Sequence, residues 1–370
     1  MMAKHSTPRT TRARILSVLK WVGISLGGIL AVVIIGFLTV FYTPFFPDTR
    51  TQYILMTYHT SNRWLATVFF SDEMVEQVLR DNRVEAPEGS TDVGLIQTVT
   101  TTTTGVGATT TTQGVTTTTK PTTTLPPRTT AGGYHVTTIY QEEGMDILQF
   151  NEDDYVGRLI RVKDPSRVKL ELCQNFMKSG KLGEKLPNMC TRLGATAGIN
   201  AGGFQDVGGS GSGNWPTQLC VKDYEILYCD GKAKHNVIGF NKDNILVLGE
   251  FTDQEIKDKQ IRDAVAFKPF LIINGKKGTF YGASQGVDPR AAIGQTADGT
   301  VLLLTIDGRQ LGMEGGSMKT IADIMWEYGA VTAANLDGGS STTMVLNNKL
   351  INKPCGPAGA RYLPNGWLVY

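Results

Sequence analysis

The run AANLDGGSSTTMV at residues 333–345 sets one acid, Asp337, among glycines and hydroxyls between an apolar helical pattern and an apolar strand pattern. A carboxylate there has two uses. It can close a turn, as Asp–Gly pairs commonly do, or it can serve as proton-transfer group or nucleophile, with Gly338 and Gly339 leaving room for a substrate and the hydroxyls of Ser340 and Ser341 orienting the acid. LGATAGINAGGF at 193–204 repeats the device, an apolar run that breaks at Asn200 into Gly202 and Gly203. Loops of this kind let backbone N–H groups approach a ligand closely, and such groups favour anions. Asn200 and Asn335 are the expected hydrogen-bonding side chains.

Two further clusters add charge. In VDPRAAIG, Arg290 enters a strand of small apolar residues, where a guanidinium requires an anion because an unpaired buried charge is costly; it is the expected phosphate clamp. TIDGRQLG places Asp307 and Arg309 after VLLLTI, so that Asp307 is either a second carboxylate beside Asp337 or the cap of a turn. A fork-shaped cation suits phosphate oxygens, and paired acids suit cleavage at an anomeric carbon. The chemistry expected is hydrolysis of a sugar-phosphate bond. The alternative is a non-catalytic module for anionic wall polymer, in which Arg290 would matter and Asp337 would not. No cofactor is called for, a divalent cation held by Asp337 and Asp307 being the other possibility. GGSGSGNW at 208–215 lacks dinucleotide-binding spacing and reads as a mobile loop over the cleft.

The elements that position these residues show their own signals. SMKTIADIMWEYG has Ser317 as cap, an apolar face, and Gly329 as stop; LGEKLPNMCTRLG ends near Gly194. Asn274-Gly275 and Asp298-Gly299 sit between β-rich runs, the pattern of hairpins. The expected fold is α+β, a mixed, hairpin-rich β-sheet core with a few packed helices over 134–370, preceded by one transmembrane helix and a disordered linker. The chain carries five cysteines, none in a CxxC pair or beside a histidine at metal-ligand spacing, so no zinc site is expected. Cys220 and Cys229 flank a hairpin-like run, where they either bridge two strands or remain free thiols.

Upstream, WVGISLGGILAVVIIGFLTVFY (21–42) has no charge and would reach about 33 Å as a helix, enough for a bilayer. Lys4, Arg9, Arg12, Arg14 and Lys20 precede it, which puts the N-terminus in the cytoplasm and residues 44–370 outside. The expected order is a basic tail (1–20), a signal anchor through the lipid bilayer (21–43), a helical stalk (44–97) with Ser71 capping SDEMVEQVLRDN, a threonine-rich linker (98–133) without aromatics or acids, and the domain. Formal net charge is only +2 and the basic residues are spread along the chain, which excludes a nucleic-acid partner.

Together, GINAGGF, DPRAAIGQTADGTVLLLTIDGR and GAVTAANLDGGSSTTMV, in this order with a helix before the last, resemble the phosphodiester glycosidase domain family, which includes the mammalian uncovering enzyme and bacterial members linked to exopolysaccharide or cell-wall metabolism. The resemblance covers about 134–370 and implies a glycosidase acting on a phosphodiester-linked sugar, with a sugar-phosphate or surface glycopolymer as substrate. Ala201, Gly203 and Ser340 depart from the common pattern, with Gly203 standing where an aromatic is usual. On this reading Gly338 belongs to the site, and Gly338→Val is expected to leave the domain folded while lowering kcat/KM about a hundredfold.

Overall fold

The computed structural model describes residues 11–43, 45–58, 60, 63–98, 128–206 and 211–370. Most of the expected linker, and the first ten residues of the basic tail, lie outside the described residues. Near the N-terminus, Thr11–Tyr42 is one helix. Its stretch Leu16–Tyr42, 27 residues with a mean hydropathy of 2.6, is long and apolar enough to cross a membrane.

The domain is built on antiparallel strands. A nine-stranded sheet runs in the order Lys276–Lys277, Phe270–Ile273, Ala330–Asn335, Arg290–Thr296, Val301–Ile306, Val156–Val162, Met145–Asn151, His135–Glu142, Arg128–Thr129. Both expected hairpins are present in it. The turn at Asn274-Gly275 has positive φ at both residues (52° and 69°), the geometry that asparagine and glycine supply most cheaply. VLLLTI does not alternate because both faces of its strand are covered: Val301 and Leu303 enter one core, while Leu302, Leu304 and Ile306 enter another.

The second of these cores lies under the helix Met318–Glu327, which buries Met318, Ile321, Ala322, Ile324 and Met325. Ser317 accepts from the Thr320 amide, worth about 1 kcal/mol. Gly329, at φ 78°, then turns the chain directly into Ala330–Asn335. Helix, turn and strand thus form one unit that delivers Asp337 to the end of a sheet strand.

Against the other face of the large sheet pack two five-stranded sheets. One has the order Lys349–Leu350, Met344–Leu346, Ala197–Asn200, Asn365–Val369, Val168–Leu172; the other Leu246–Phe251, His235–Asn241, Ile261–Ala266, Leu219–Lys222, Glu225–Cys229. In the second, Cys220 pairs with Tyr228 and Cys229 with Leu219. Cys220 faces the main core and Cys229 the opposite one, so these two thiols do not bridge the strands.

Ser71 caps the helix Asp72–Asp81 as its sequence signals, but the segment that follows is bonded to the domain along its length. Val84–Glu85 pairs with Thr279–Phe280. The Thr91 amide donates to Leu248 O at 2.9 Å, and the Gln97 amide to Ala297 O at 2.8 Å. Asn82 is the anchor: its Oδ1 accepts from the Ala283 amide at 2.7 Å, its Nδ2 donates to Val78 O, and its own carbonyl accepts from Gln285. Removing one such buried polar hub leaves its partners unsatisfied. Asn82→Ala should therefore cost about 1–3 kcal/mol, a loss of roughly 3–10 °C in thermal melting; an unchanged melt would show that this segment contributes nothing to the domain's stability.

Candidate functional site

Asp337 lies where strand ends of two different sheets meet. The Leu336 amide donates to Ala291 O and the Asp337 amide to Ala201 O, so the acid is stitched both to its own sheet and to the end of Ala197–Asn200. Its side chain is partly buried. Burial raises its pKa from 3.8 to about 6, a rise opposed by hydrogen bonds from the Ser341 hydroxyl and the Gly338 amide and by the charge of Arg361, and reinforced by Asp206. The result is a carboxylate that changes protonation close to neutral pH.

Asn200 holds this junction rather than facing a cleft. It is buried, its Nδ2 donates to Asp337 O at 2.6 Å, and its Oδ1 accepts from the Thr343 amide at 3.0 Å. Asn335 likewise points inward, donating to Lys268 O at 3.0 Å. The glycines serve close packing between chain segments. A Cβ on Gly202 would stand 3.0 Å from Val265, one on Gly203 3.0 Å from Thr217 Oγ1, and one on Gly338 2.8 Å from Pro289 O. The last contact is with backbone, so Gly338→Val strains the fold as well as the site, contrary to the expectation from sequence. Gly339 differs: its φ is 57° and its open side faces the Arg309 guanidinium.

The expected phosphate clamp is otherwise engaged. Arg290 is buried, and its guanidinium donates to the carbonyls of Gly316 (3.0 Å), Gln285 (3.2 Å) and Gly286 (2.8 Å). The anion that its sequence context calls for is supplied mostly by peptide oxygens. It fixes the loop carrying Asp288, whose Oδ1 accepts from Arg309 Nε at 2.7 Å and so aims Arg309 at Gly339. Asp307 is also spent. It is ion-paired with Arg158 at 2.7 Å, accepts from Asn352 Nδ2 at 2.9 Å and takes the Lys353 amide. Since Asn352 in turn binds Thr342 O and the Met344 amide, Asp307 buttresses the chain that leaves the Asp337 loop. An ion shared by Asp307 and Asp337 is not what this arrangement serves.

Three residues that the sequence reading passed over complete the site. Arg361 donates from Nη1 to Asp206 Oδ2 at 2.7 Å and to Ser340 Oγ at 3.4 Å, and its guanidinium stacks 4.6 Å from the Phe204 ring centre. Arg361 holds the Asp206 carboxyl below its usual range, with help from the Gly211 amide. Asp206 stands three residues past Gly203, so a carboxylate closing the first glycine block was the available signal. Arg361 sits in GPAGARY, where nothing local marks it. Of the loop expected to cover the cleft, residues 208–210 lie outside the described residues; 211–215 are tied down, Asn214 donating to the carbonyls of Asn175 and Lys178.

The site therefore contains two acids driven in opposite directions, Asp337 up and Asp206 down, beside two partly exposed arginines, Arg361 and Arg309. Environments that separate two carboxyl groups in this way distinguish acid–base roles.

Residues 193–370 match the family model described as phosphodiester glycosidase. Mouse N-acetylglucosamine-1-phosphodiester alpha-N-acetylglucosaminidase is 25% identical over 226 residues, covering 54% of this chain and 41% of that protein. The human enzyme of the same name is 27% identical over 173 residues, 42% of this chain and 32% of its own. A prophage-derived Bacillus subtilis protein, YomE, is 27% identical over 175 residues, 46% of this chain and 27% of its length. The chain thus spans less than half of each of these relatives. Among solved structures, the zebrafish N-acetylglucosamine-1-phosphodiester alpha-N-acetylglucosaminidase catalytic domain, auto-inhibited by its pro-peptide, superposes with a TM-score of 0.50 at 18% identity, over 64% of this chain and 82% of that one, which establishes the shared fold.

The raised pKa of Asp337 has a cost in stability with a definite sign. Below about pH 3 the acid is protonated whether folded or unfolded; as pH rises from about 4 to about 6 the unfolded chain ionises while the folded state keeps its proton, and stability falls across that window. Asp337→Asn should thus melt as wild type does near pH 3 and be more stable, by about 1–3 kcal/mol, at pH 7.5. Equal stability at both pH values would show that the carboxyl is not desolvated.

Proposed function

We propose that this chain, whose residues 193–370 match the phosphodiester glycosidase family, hydrolyses the bond between an anomeric carbon and a phosphodiester oxygen. The observation that carries the reading is the Asp337 carboxyl, tuned to about 6 at a strand end beside Arg361 and Arg309. The arginines receive the phosphate. Breaking the C1–O bond releases a phosphomonoester whose second pKa is about 6, a good leaving group that needs charge stabilisation more than a proton. Attacking water is the harder partner, and it needs a base.

Asp337 fits that need better than Asp206. A base works best with a pKa near the working pH, and Asp206 is depressed by its bond to Arg361. In this mechanism the water oxygen bonds to C1, its proton passes to Asp337, and the C1–O electron pair leaves with the phosphate, whose growing charge Arg361 and Arg309 neutralise. Asp337 then returns the proton to solvent. Asp206 and the Phe204 ring fix the Arg361 guanidinium in its plane.

The names of the mouse and human relatives favour an α-linked N-acetylglucosamine phosphodiester as the first substrate to test. Leu16–Tyr42 would anchor the chain in a membrane, and the basic residues before it favour a cytoplasmic N-terminus, so that the domain faces outward toward surface glycopolymers.

Incubating the detergent-solubilised full chain with α-GlcNAc-1-phosphodiester in ¹⁸O-water tests the bond assignment. The label is expected on the released sugar and absent from the phosphomonoester, and Arg361→Ala is expected to lower kcat/KM by about a hundredfold or more. Label in the phosphate would mean cleavage at phosphorus and would overturn the reading; saturable binding of the substrate without turnover would favour a binding module instead.

A further inference from the structure

Away from Asp337, the second five-stranded sheet gathers donor atoms of three kinds. Cys229 ends one edge strand, His235 begins the strand next to the opposite edge, and Asp253 lies two residues past that opposite edge strand, at the start of the helix Asp253–Asp258. Two strands, Leu219–Lys222 and Ile261–Ala266, separate Glu225–Cys229 from His235–Asn241 in pairing order, yet Cys229 Sγ, an imidazole nitrogen and an Asp253 carboxylate oxygen all lie within 4.8 Å of one another. The sheet thus brings its two margins together at these side chains.

The histidine is the informative member. It is buried, its Nε2 stands 3.1 Å from Asp253 Oδ1, and its Nδ1 is buried without a hydrogen bond. Facing that Nδ1, 3.6 Å away, is Asp230 Oδ1. A buried imidazole with a thiol within reach, a carboxylate at Nε2 and a second carboxylate facing Nδ1 has the composition of a metal-ligating histidine with its outer hydrogen-bond partner.

We propose that Cys229, His235 and Asp253 bind a divalent ion of the zinc class, with Asp230 taking the Nδ1 proton and water as the remaining ligand. Tetrahedral zinc places neighbouring ligand atoms about 3.3–3.6 Å apart. His235 Nε2 and Asp253 Oδ1, at 3.1 Å, stand a few tenths of an ångström inside this spacing, and rotamer adjustment of the Cys229 and Asp253 side chains brings the set to it. Zinc suits a thiolate, imidazole and carboxylate set better than calcium or magnesium, which prefer all-oxygen shells. Binding releases the thiol proton, so affinity rises with pH. The ion would fasten the free edge of the Leu219–Cys229 hairpin to the start of the helix Asp253–Asp258, stabilising the fold by mass action. The spacing rule that set zinc aside in the sequence looked for CxxC or adjacent histidine; here Cys229 and His235 are joined by a five-residue loop, and Asp253 arrives through the sheet.

The test is metal titration of the full chain in detergent after chelation and dialysis, with Zn²⁺ followed by calorimetry and Co²⁺ by absorption. One equivalent per chain is expected, with a thiolate-to-cobalt charge-transfer band and a zinc-dependent rise in melting temperature. Cys229→Ser, a change at an accessible side chain, should abolish the band and weaken zinc binding at least tenfold, and Asp230→Asn should weaken it about ten- to a hundredfold. Cys355→Ser and Asp337→Asn should bind as wild type does. Zinc bound equally well by wild type and Cys229→Ser, or no stoichiometric uptake by wild type, would overturn the proposal.

Discussion

The side chain of Asn200 is the interaction on which the rest of the site depends. It ends a strand of one sheet and binds the loop that follows a strand of another, giving a proton to Asp337 O and taking one from the Thr343 amide. Both ends of its amide are used, both partners are backbone, and the residue is buried. A shorter or apolar side chain there would leave two buried peptide groups unsatisfied at the point where Asp337 is held. The position of the acid is thereby set by packing between sheets, not by the glycine loop alone.

Around this clasp, charge is used in two layers. Arg290 and Asp307 face inward and spend their hydrogen bonds on loops: Arg290 on the carbonyls at 285, 286 and 316, Asp307 on Arg158, Asn352 and Lys353. Arg309 is held by Asp288 on the loop that Arg290 fixes, Arg361 and Asp206 hold each other, and both arginines are partly exposed. The outer groups keep partial solvent exposure and unspent donors, which suits them to a phosphate. The inner groups supply rigidity, which catalysis needs because small displacements of reacting groups are costly.

What the sequence disclosed follows from the range of each interaction. Ser317, Gly329, Asn274-Gly275 and the unbroken apolar run VLLLTI are local devices, and the helix, turn and strands they signal are in the structure. Asp337 at the end of Ala330–Asn335 was legible for the same reason. Arg361 was not, because its partner Asp206 is 155 residues away and no local pattern marks the pair. Arg290 was legible as a buried cation in need of oxygen, but sequence does not say whether that oxygen belongs to a ligand or to a peptide. The segment at 82–97 read as a stalk because its bonds to the domain are long-range backbone contacts with residues near 248, 280 and 297, which leave no mark on its composition.

The central claim is that Asp337 is a general base tuned to about 6 by burial, with arginines in place of an acid on the leaving side. The dependence of kcat/KM on pH for the wild-type chain tests it most directly, since that quantity reports the ionisation of the free enzyme. The account predicts a rise through an apparent pKa of about 6 to a plateau, and loss of that step with nearly all activity in Asp337→Asn. A rate that instead falls as pH passes through about 6, or an Asp337→Asn variant that keeps the wild-type rate and profile, would contradict it.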